Sequence, residues 1–311
     1  MQLDNYDIIK LTDMESGPLI FRKAHLNDLQ DVRICTAHCM QSDLSFANIY
    51  LLADKYGTEI CIRENTLYRY FTGRGRLQGF AFPCGPECDI KAALFHIEQY
   101  AKKHNLPLQF CLLTDENVDV LKQVYGDRVS VFTDRGDADY LYRRQHLAEL
   151  NGSRFHKKRN HIARFERMNP NCHFEALGVH NLSSALEVAQ KWLDAHNDSP
   201  ALRHEFKAIE NALKHASDLG IFGGLFYVEH RPVAMTLASL INEKVADIHY
   251  EKCIPEYRDA YPMINQAMAR HLSLEWINRE EDLNYSGLRQ AKLSYYPDLI
   301  LQKSRATVNL C

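Results

Sequence analysis

The chain has 311 residues, 46% of them hydrophobic and 25% charged, which is the composition of an ordinary globular protein and excludes a disordered tail. Its 37 basic and 40 acidic residues give a formal charge of −3, so any site for an anionic partner must be local. No segment approaches the ~20 uncharged residues of a membrane span, and the N-terminus lacks a signal-peptide pattern, so we expect a cytoplasmic protein. The nine cysteines are scattered without complete zinc-site spacing, and we predict no metal site.

The first half of the chain predicts a helical region, antiparallel strands, a helix and a further strand. Apolar side chains recur at helical spacing through residues 18–56, and the period then changes to the alternation of a β-strand. Hairpin patterns with turn residues occupy residues 59–81. A helix over residues 90–104 and a buried strand over residues 108–113 follow.

The second half repeats this order of elements with different residues. A basic helix near residue 160 is followed by helices over 182–194 and 204–215, three strands between 223 and 251, a helix over 260–274 and a strand near 283–285. A repeated order of elements indicates two similar α/β units. We therefore predict an N-terminal unit, residues 1–150, and a C-terminal unit, residues 151–311, that meet near residues 145–155 and hold the active cleft in the second unit.

The basic helix carries the densest charge cluster of the chain. Phe155, Ile162 and Phe165 share one face of it, Asn151 or Ser153 is a candidate cap, and Pro170 follows its end. Six Lys or Arg residues between 154 and 167 accompany one acid, Glu166, so the usual ion pairing of a charged helix is absent. A solvated face is one interpretation and a phosphate-rich partner, RNA or a lipid headgroup, is the other. The candidate anion-binding residues are Lys157, Lys158, Asn160, Arg164 and Arg167, with His161 beside them.

A second polar cluster lies in residues 277–297. Arg289 and Lys292 are three residues apart, so in a helical turn both side chains can reach one anion. The acids Glu280, Glu281 and Asp282 have the chemistry to hold a cationic amine. The alternative is that these charges pair with each other for structural reasons.

A third candidate is the strand that contains His249 and Glu251. Alternation places these two side chains on one face and Ile248 and Tyr250 on the other. Glu251 stands at the end of the strand, where a carboxylate can act as a base or bind an amine, or can simply belong to the sheet surface.

Several short motifs in order resemble those of a bacterial family. They are Asn151-Gly with His156-Lys-Lys-Arg-Asn-His-Ile, Tyr250-Glu-Lys, Asn278-Arg-Glu-Glu-Asp, and Gly287-Leu-Arg-Gln-Ala-Lys-Leu-Ser-Tyr-Tyr-Pro. Together they resemble the signatures of the C-terminal domain of phosphatidylglycerol lysyltransferase, over nearly the whole chain. The resemblance implies an α/β (α+β) fold of two tandem GNAT-like units, each a mixed, mainly antiparallel sheet flanked by helices, as in the related Fem aminoacyltransferases.

The resemblance also implies an activity, the transfer of an amino acid from aminoacyl-tRNA to a lipid or small acceptor. By motif, Lys292 and Arg289 would stabilise negative charge at the transferred ester or phosphate, and Glu251 would serve as the base or amine-binding carboxylate. In the same segment, the residues expected to bind the substrate are Glu281, Asp282, Ser294 and Tyr295. The basic helix would contact aminoacyl-tRNA or anionic phospholipid, which adds peripheral contact with a membrane to the expected cytoplasmic location.

The sequence departs from this family pattern at three points. No segment corresponds to the membrane portion of the lysyltransferases, and Tyr296-Pro297-Asp298 lacks the tryptophan of their ending. Residues 256–263 replace the glycine-rich loop that cradles the pyrophosphate of acetyl-CoA, so acetyl-CoA transfer is disfavoured and no cofactor is predicted. Two functions remain open, an aminoacyl- or acyltransferase and a non-catalytic protein that binds RNA or anionic lipid. The oligomeric state is not assigned.

Overall fold

A computed structural model of the chain describes residues 17–73 and 76–310. The described residues form two compact units, the first from residues 17–24, 53–73, 76–134 and 303–310 and the second from residues 25–52 and 135–302. This division differs from the predicted boundary at residue 150. An early segment and residues 135–150 belong to the second unit, and the C-terminal strand returns to the first.

The helices of the described residues are short to medium in length. In chain order they are α1 (Leu29–Cys35), α2 (Phe46–Leu51), α3 (Ala53–Tyr56), α4 (Ile90–Lys103), α5 (Asp115–Tyr125), α6 (Arg144–Glu149), α7 (His156–Met168), α8 (Leu182–Asp194), α9 (Pro200–Lys214), α10 (Tyr261–His271) and α11 (Ser286–Leu293).

The strands are distributed over both units. In chain order they are β1 (Thr58–Arg63), β2 (Thr66–Phe71), β3 (Gly79–Ala81), β4 (Gln109–Leu113), β5 (Val129–Thr133), β6 (Asp139–Arg143), β7 (Cys172–Ala176), β8 (Phe222–Val228), β9 (Arg231–Asn242), β10 (Val245–Cys253), β11 (Trp276–Asn278), β12 (Leu299–Leu301) and β13 (Ser304–Val308).

The first unit contains a six-stranded mixed sheet in the order β1-β2-β3-β4-β13-β5. β3 and β4 are parallel and the other neighbours are antiparallel. The buried side chains of α4, among them Leu94 and Ile97, recur at helical spacing and pack with Phe80 and Phe110 of the sheet in one hydrophobic core. Burial of this apolar face stabilises the unit.

The second unit contains a seven-stranded mixed sheet in the order β12-β6-β11-β10-β9-β8-β7. β10 and β11 are parallel, and the other pairs are antiparallel. The five helices from α6 through α10 pack with this sheet in one hydrophobic core. Its fully buried members include Leu237, Ile264 and Met268.

The same sequence of elements builds both sheets, which confirms the predicted tandem arrangement. In each unit an antiparallel meander ends in a strand, β3 or β10, which is followed by a helix, α4 or α10, and by a parallel neighbouring strand. A helix between two parallel strands is the crossover that parallel pairing requires. In the second unit this parallel pair is where the candidate site lies.

The predicted elements differ from the structure in three places. Residues 18–56 form α1, α2, α3 and short 3₁₀ turns instead of a continuous helical region. The strand expected near 283–285 is wrong: Leu283 and Asn284 have φ values of +52° and +63°, which belong to a turn, and the strand is β11. Neither Asn151 nor Ser153 caps α7, because a 3₁₀ turn at Ser153–Phe155 precedes it and Phe155 occupies the N-cap position.

Candidate active site

The candidate site lies where β10 and β11 stop pairing. Val245–Asp247 pairs with Trp276–Asn278, after which β10 continues to Cys253 and the other chain segment no longer pairs with it, although it still bonds Tyr140 of β6. The register of β10 against β9 shifts between Ile248 and Tyr250, and such bulges are frequent beside functional sites. The polar side chains of β10 therefore contact the segment that follows β11.

A buried ion pair joins these two segments. Nη2 of Arg279 donates a hydrogen bond of 2.5 Å to Oε2 of Glu251. The Arg279 side chain is 14% exposed and the Glu251 side chain is 11% exposed. Asn265 of α10 donates to the other Glu251 oxygen over 3.1 Å. Burial alone would lower the pKa of Arg279, but the charge of Glu251 outweighs it and the pKa is raised. The bonds from Arg279 and Asn265 hold the Glu251 carboxylate in one orientation.

Three further polar atoms around this pair are buried without a hydrogen-bond partner in the described part of the chain. They are Nη1 of Arg279, Oδ1 of Asn265 and Oγ1 of Thr236. Thr236 lies opposite Glu251 in the register of β9 and β10. Since more than about nine in ten buried polar groups are hydrogen-bonded, such a concentration is typical of a ligand-binding site.

The basic helix reaches the same place through Lys158. Its ammonium lies 3.8 Å from the centre of the Tyr295 ring, and the Arg279 guanidinium lies 5.0 Å from the same ring. Burial, together with the charge of Arg279, lowers the pKa of Lys158 to about 8. Two cations thus share one aromatic ring, while the neighbouring carboxylate of Glu251 is bound to Arg279.

Lys292 makes different contacts from those expected for an anion-binding residue. Its ammonium donates to the backbone carbonyls of Arg279, Glu280 and Glu281 over 2.5, 3.0 and 2.6 Å. Burial lowers the pKa of this lysine. The carbonyl oxygens of residues 279–281 thus bind an amine of the chain itself, and the amine-binding role expected for the carboxylates of Glu280, Glu281 and Asp282 stays a prediction.

Arg289 is also bound to protein groups. It forms a bidentate pair with the buried Asp282 over 2.7 and 2.9 Å and donates to Oδ1 of Asn284 over 2.8 Å. Asp282 also accepts a hydrogen bond of 2.6 Å from the Tyr140 hydroxyl. Burial would raise the pKa of Asp282, but the bonds from Arg289 and Tyr140 hold it below its usual value. Asp282 and Arg289 therefore fix the turn before α11.

A second group on the same strand contains Asp247 and His249. Nδ1 of His249 lies 3.2 Å from Oε1 of Glu280 and 3.5 Å from Oδ2 of Asp247. The amide nitrogen of Asn48 donates to these same two carboxylate oxygens over 2.9 and 3.1 Å. The donor set of two carboxylates and one imidazole is one that could hold a metal ion.

Ser294 and four of the predicted anion-binding residues lie outside the group around Arg279. The Ser294 hydroxyl donates to the carbonyl of Ala291 over 2.6 Å within the end of α11. Lys157, Asn160, Arg164 and Arg167 are exposed on α7, opposite the buried Phe155, Ile162 and Phe165. Within residues 17–73 and 76–310, no ion pair involves Lys157, Arg164 or Arg167, and no hydrogen bond or ion pair joins Glu251 to Lys292 or Arg289.

The structure thus brings Glu251, Lys158 and Tyr295 together around Arg279, a residue that the sequence analysis did not select. Arg279 belongs to the quoted Asn278-Arg-Glu-Glu-Asp motif and directly follows β11, whereas the predicted strand near 283–285 would have placed it before a strand. Its partner Glu251 is 28 residues earlier in the chain, so only the parallel pairing of β10 and β11 reveals the contact.

The turn that precedes α10 has no glycine-rich loop. Residues Pro255–Ala260 form a 3₁₀ turn, and Pro262 occupies the first turn of α10 and offers no backbone N–H. A pyrophosphate cradle needs several free backbone N–H groups at a helix start. Among the described residues, no helix is both long enough and apolar enough to cross a bilayer.

Comparison with known proteins places the chain among relatives of the same architecture. A structure from Bacteroides thetaiotaomicron, described as a conserved protein of unknown function, is 30% identical and covers 94% of this chain and 100% of its own, with a TM-score of 0.88. A curated relative, an uncharacterized protein of Mycoplasmoides gallisepticum, is 22% identical over 171 residues. The chain spans about half the length of that relative, 54% of it.

Two more distant structures show the same fold. The C-terminal domain of a putative lysylphosphatidylglycerol synthetase from Agrobacterium fabrum is 14% identical, covers 91% of this chain and 92% of its own, and has a TM-score of 0.66. The structure of FemX is 9% identical, covers 94% of this chain and 98% of its own, and has a TM-score of 0.59. The model of the family described as "Phosphatidylglycerol lysyltransferase, C-terminal" matches residues 37–307. The chain belongs to this family.

Proposed function

We propose that the protein is an aminoacyltransferase that moves an aminoacyl group from aminoacyl-tRNA to a hydroxyl of a lipid or small acceptor. Membership of the family, whose name describes a transferase, supports this reaction class. The observation that carries the proposal is the buried Glu251–Arg279 pair beside Lys158, at the point where β10 and β11 diverge. The group to be transferred would bind there.

The reaction is an exchange of one ester for another. The acceptor oxygen attacks the carbonyl carbon of the aminoacyl ester, an oxyanion forms, and the bond from that carbon to the tRNA ribose oxygen breaks. The acceptor hydroxyl loses a proton and the ribose hydroxyl gains one, so no cofactor is consumed. A fixed cation with an unused donor stabilises such an oxyanion, and we assign this role to Nη1 of Arg279.

Glu251 is the proposed carboxylate of the reaction. It would accept the proton of the acceptor hydroxyl or bind the α-ammonium group of the aminoacyl donor. Its two oxygens already accept bonds from Arg279 and Asn265, which hold the carboxylate in one orientation. A preoriented group contributes to catalysis because no reorganisation is needed during the reaction.

Lys158 and the exposed cations of α7 are proposed to bind the phosphate-rich substrate. Lys157, Arg164 and Arg167 would contact tRNA or anionic phospholipid at the surface, and Lys158 would contact an anionic group nearer Arg279. This surface supports a cytoplasmic protein that associates peripherally with a membrane. Tyr295 supplies the ring against which Lys158 and Arg279 are held.

Lys292 and Arg289 are proposed as positioning residues. Lys292 holds the carbonyls of residues 279–281, and Arg289 holds Asp282 at the end of the same segment. Their effect on the reaction would therefore pass through the position of Arg279. Glu281 and Ser294 would act at the edge of the donor site, on the same segment and helix.

The test is single-turnover transfer from pools of charged tRNA to vesicles that contain phosphatidylglycerol and, separately, to soluble polyols. We expect loss of the tRNA ester together with appearance of the aminoacylated acceptor, and a decrease of about a hundredfold in Arg279→Lys. Lys214→Ala, at an exposed position of α9, is the matched control for a cation outside the site. Binding of tRNA or vesicles without transfer to any acceptor would support the alternative, a non-catalytic binding protein, and contradict the proposed reaction.

A further inference from the structure

We propose that Asp247, His249 and Glu280 form a binding site for a divalent transition-metal ion, with Zn²⁺ as the best match. The nearest ligand atoms of the three side chains all lie within 4.8 Å of one another. At Zn–N and Zn–O bond lengths of about 2.0–2.1 Å, tetrahedral geometry separates neighbouring ligand atoms by roughly 3.3 Å. The observed distances from Nδ1 of His249, 3.2 and 3.5 Å, bracket this value.

The imidazole is held in the orientation that metal binding requires. Nε2 of His249 lies 2.9 Å from the hydroxyl oxygen of Ser239, a partner that can accept its proton. When Nε2 carries the proton, Nδ1 has the lone pair and faces both carboxylates; in the other tautomer Ser239 donates to Nε2 and Nδ1 donates to Glu280. Histidine ligands of metals usually have their second nitrogen fixed by an oxygen in this way. The Ser239 contact is thus a second observation, independent of the ligand spacing.

The charge of the group favours a cation. Asp247 and Glu280 supply two carboxylates, the ligand type that attracts a divalent cation, and His249 supplies a neutral nitrogen ligand in the metal-bound form. The Asp247 and His249 side chains are 0% and 1% exposed, and burial makes an excess charge costly. Glu280 is 26% exposed and gives the ion a route from solvent.

A metal ion here would tie β10 to the segment after β11. Glu280 follows Arg279 directly in the chain, and its side chain would become a ligand together with two residues of β10. The ion would therefore restrain the same segment that Lys292 holds through its carbonyls. This role is one of stabilisation and does not depend on the proposed transfer reaction.

The first experiment uses the full chain without substitutions. Protein treated with a chelator is reloaded with Zn²⁺ or Co²⁺, dialysed, and analysed for bound metal and for the absorption of Co²⁺. We expect one equivalent per chain and the d–d bands of tetrahedral cobalt without a thiolate charge-transfer band, because the ligands are nitrogen and oxygen. A thiolate band would assign the metal to cysteines and overturn the proposal, as would binding far below one equivalent.

The second experiment compares two substitutions with a matched control. His249→Gln and Glu280→Gln should each weaken Zn²⁺ binding by at least about tenfold, as measured by competition with a chelating dye. His180→Gln should leave it unchanged, since His180 pairs on the surface with one carboxylate, Glu175. Unchanged affinity in Glu280→Gln, which keeps a side chain of the same size at a partly exposed position, would show that the site is elsewhere.

Discussion

The ammonium of Lys292 lies 2.5 Å from the carbonyl oxygen of Arg279, and this hydrogen bond connects a residue that the sequence analysis selected with one that it missed. The same ammonium also binds the next two carbonyls. The carbonyl of Glu280 also accepts from the backbone N–H of Tyr140 over 3.3 Å, whereas Lys292 is the donor to the carbonyls of Arg279 and Glu281. The position of the Arg279 side chain beside Glu251 therefore depends on α11.

Replacement of Lys292 by alanine should lower stability and transfer activity together. Each buried carbonyl left without a donor costs about 1–3 kcal/mol, and release of residues 279–281 would displace Arg279. Lys292→Arg should restore little, because a planar guanidinium does not match three converging carbonyls. The measurements are the melting temperature and the single-turnover rate of each variant.

Lys214→Ala, which replaces an exposed lysine of α9, is the control and should change neither quantity. A Lys292→Ala protein with unchanged melting temperature and a rate at least about a hundredfold lower would instead favour the direct catalytic role expected from the sequence.

The Glu251–Arg279 pair should show strong coupling in a double-substitution cycle. Removal of one partner leaves a buried charge unpaired and costs about 3–5 kcal/mol, whereas removal of both leaves no such charge. Glu251→Gln with Arg279→Gln should therefore be more stable than the sum of the single substitutions predicts. Urea unfolding measures the four free energies of unfolding. Additive effects would mean that the two side chains do not form the pair in solution.

The sequence predicted the local elements better than the contacts between them. The hairpin of β1 and β2 follows from alternation and from a turn at Glu64 and Asn65, both with positive φ. By contrast, β13 pairs with β4 and β5 from a distant part of the chain, and no local pattern indicates this.

In the candidate site, too, the sequence predicted local features better than contacts between distant residues. Amphipathic spacing correctly placed Phe155, Ile162 and Phe165 on the buried face of α7. The charge pattern also placed Lys158 among the candidate anion-binding residues. The contact of Lys158 with Tyr295, however, depends on the packing of α7 near the end of α11. Charge type and spacing indicate which residues can bind an anion, whereas the fold decides which of them are already bound to protein.

Lys158 should give the protein a pH dependence that its neighbour Lys157 does not. Its pKa of about 8 in the folded state lies below the ordinary lysine value of 10.5, so the unfolded chain binds more protons between these values. This group therefore makes the free energy of unfolding rise as pH increases from about 8 to 10.5. Lys158→Met should remove that contribution and raise the melting temperature at about pH 7.

The measurement is the difference in melting temperature between wild type and variant from about pH 7 to about pH 10, with Lys157→Met as the matched control on the same helix. A constant difference would contradict the lowered pKa. In the wild type, anion binding that involves Lys158 should weaken as pH rises through about 8, because the ammonium loses its charge.

The exposed cations of α7 should bind a polyanion, and salt dependence is the most direct measure. Replacement of Lys157, Arg164 and Arg167 by alanine should weaken binding of tRNA or of anionic vesicles and flatten its dependence on salt. For each phosphate that is no longer neutralised, the slope of log K against log salt should fall by roughly 0.7–0.9. Stability should change by less than about 0.5 kcal/mol for each substitution, because these side chains are exposed and make no ion pair within the described residues.

A triple substitution of exposed cations elsewhere in the second unit, Lys207, Lys214 and Lys244, removes the same net charge and serves as the control. If α7 is the binding surface, the control protein keeps both its affinity and its slope, whereas a general charge effect would reduce both proteins equally. An unchanged slope in the α7 variant would show that the exposed cations of this helix are only solvated, and it would leave Lys158 and Arg279 as the anion-binding groups of the site.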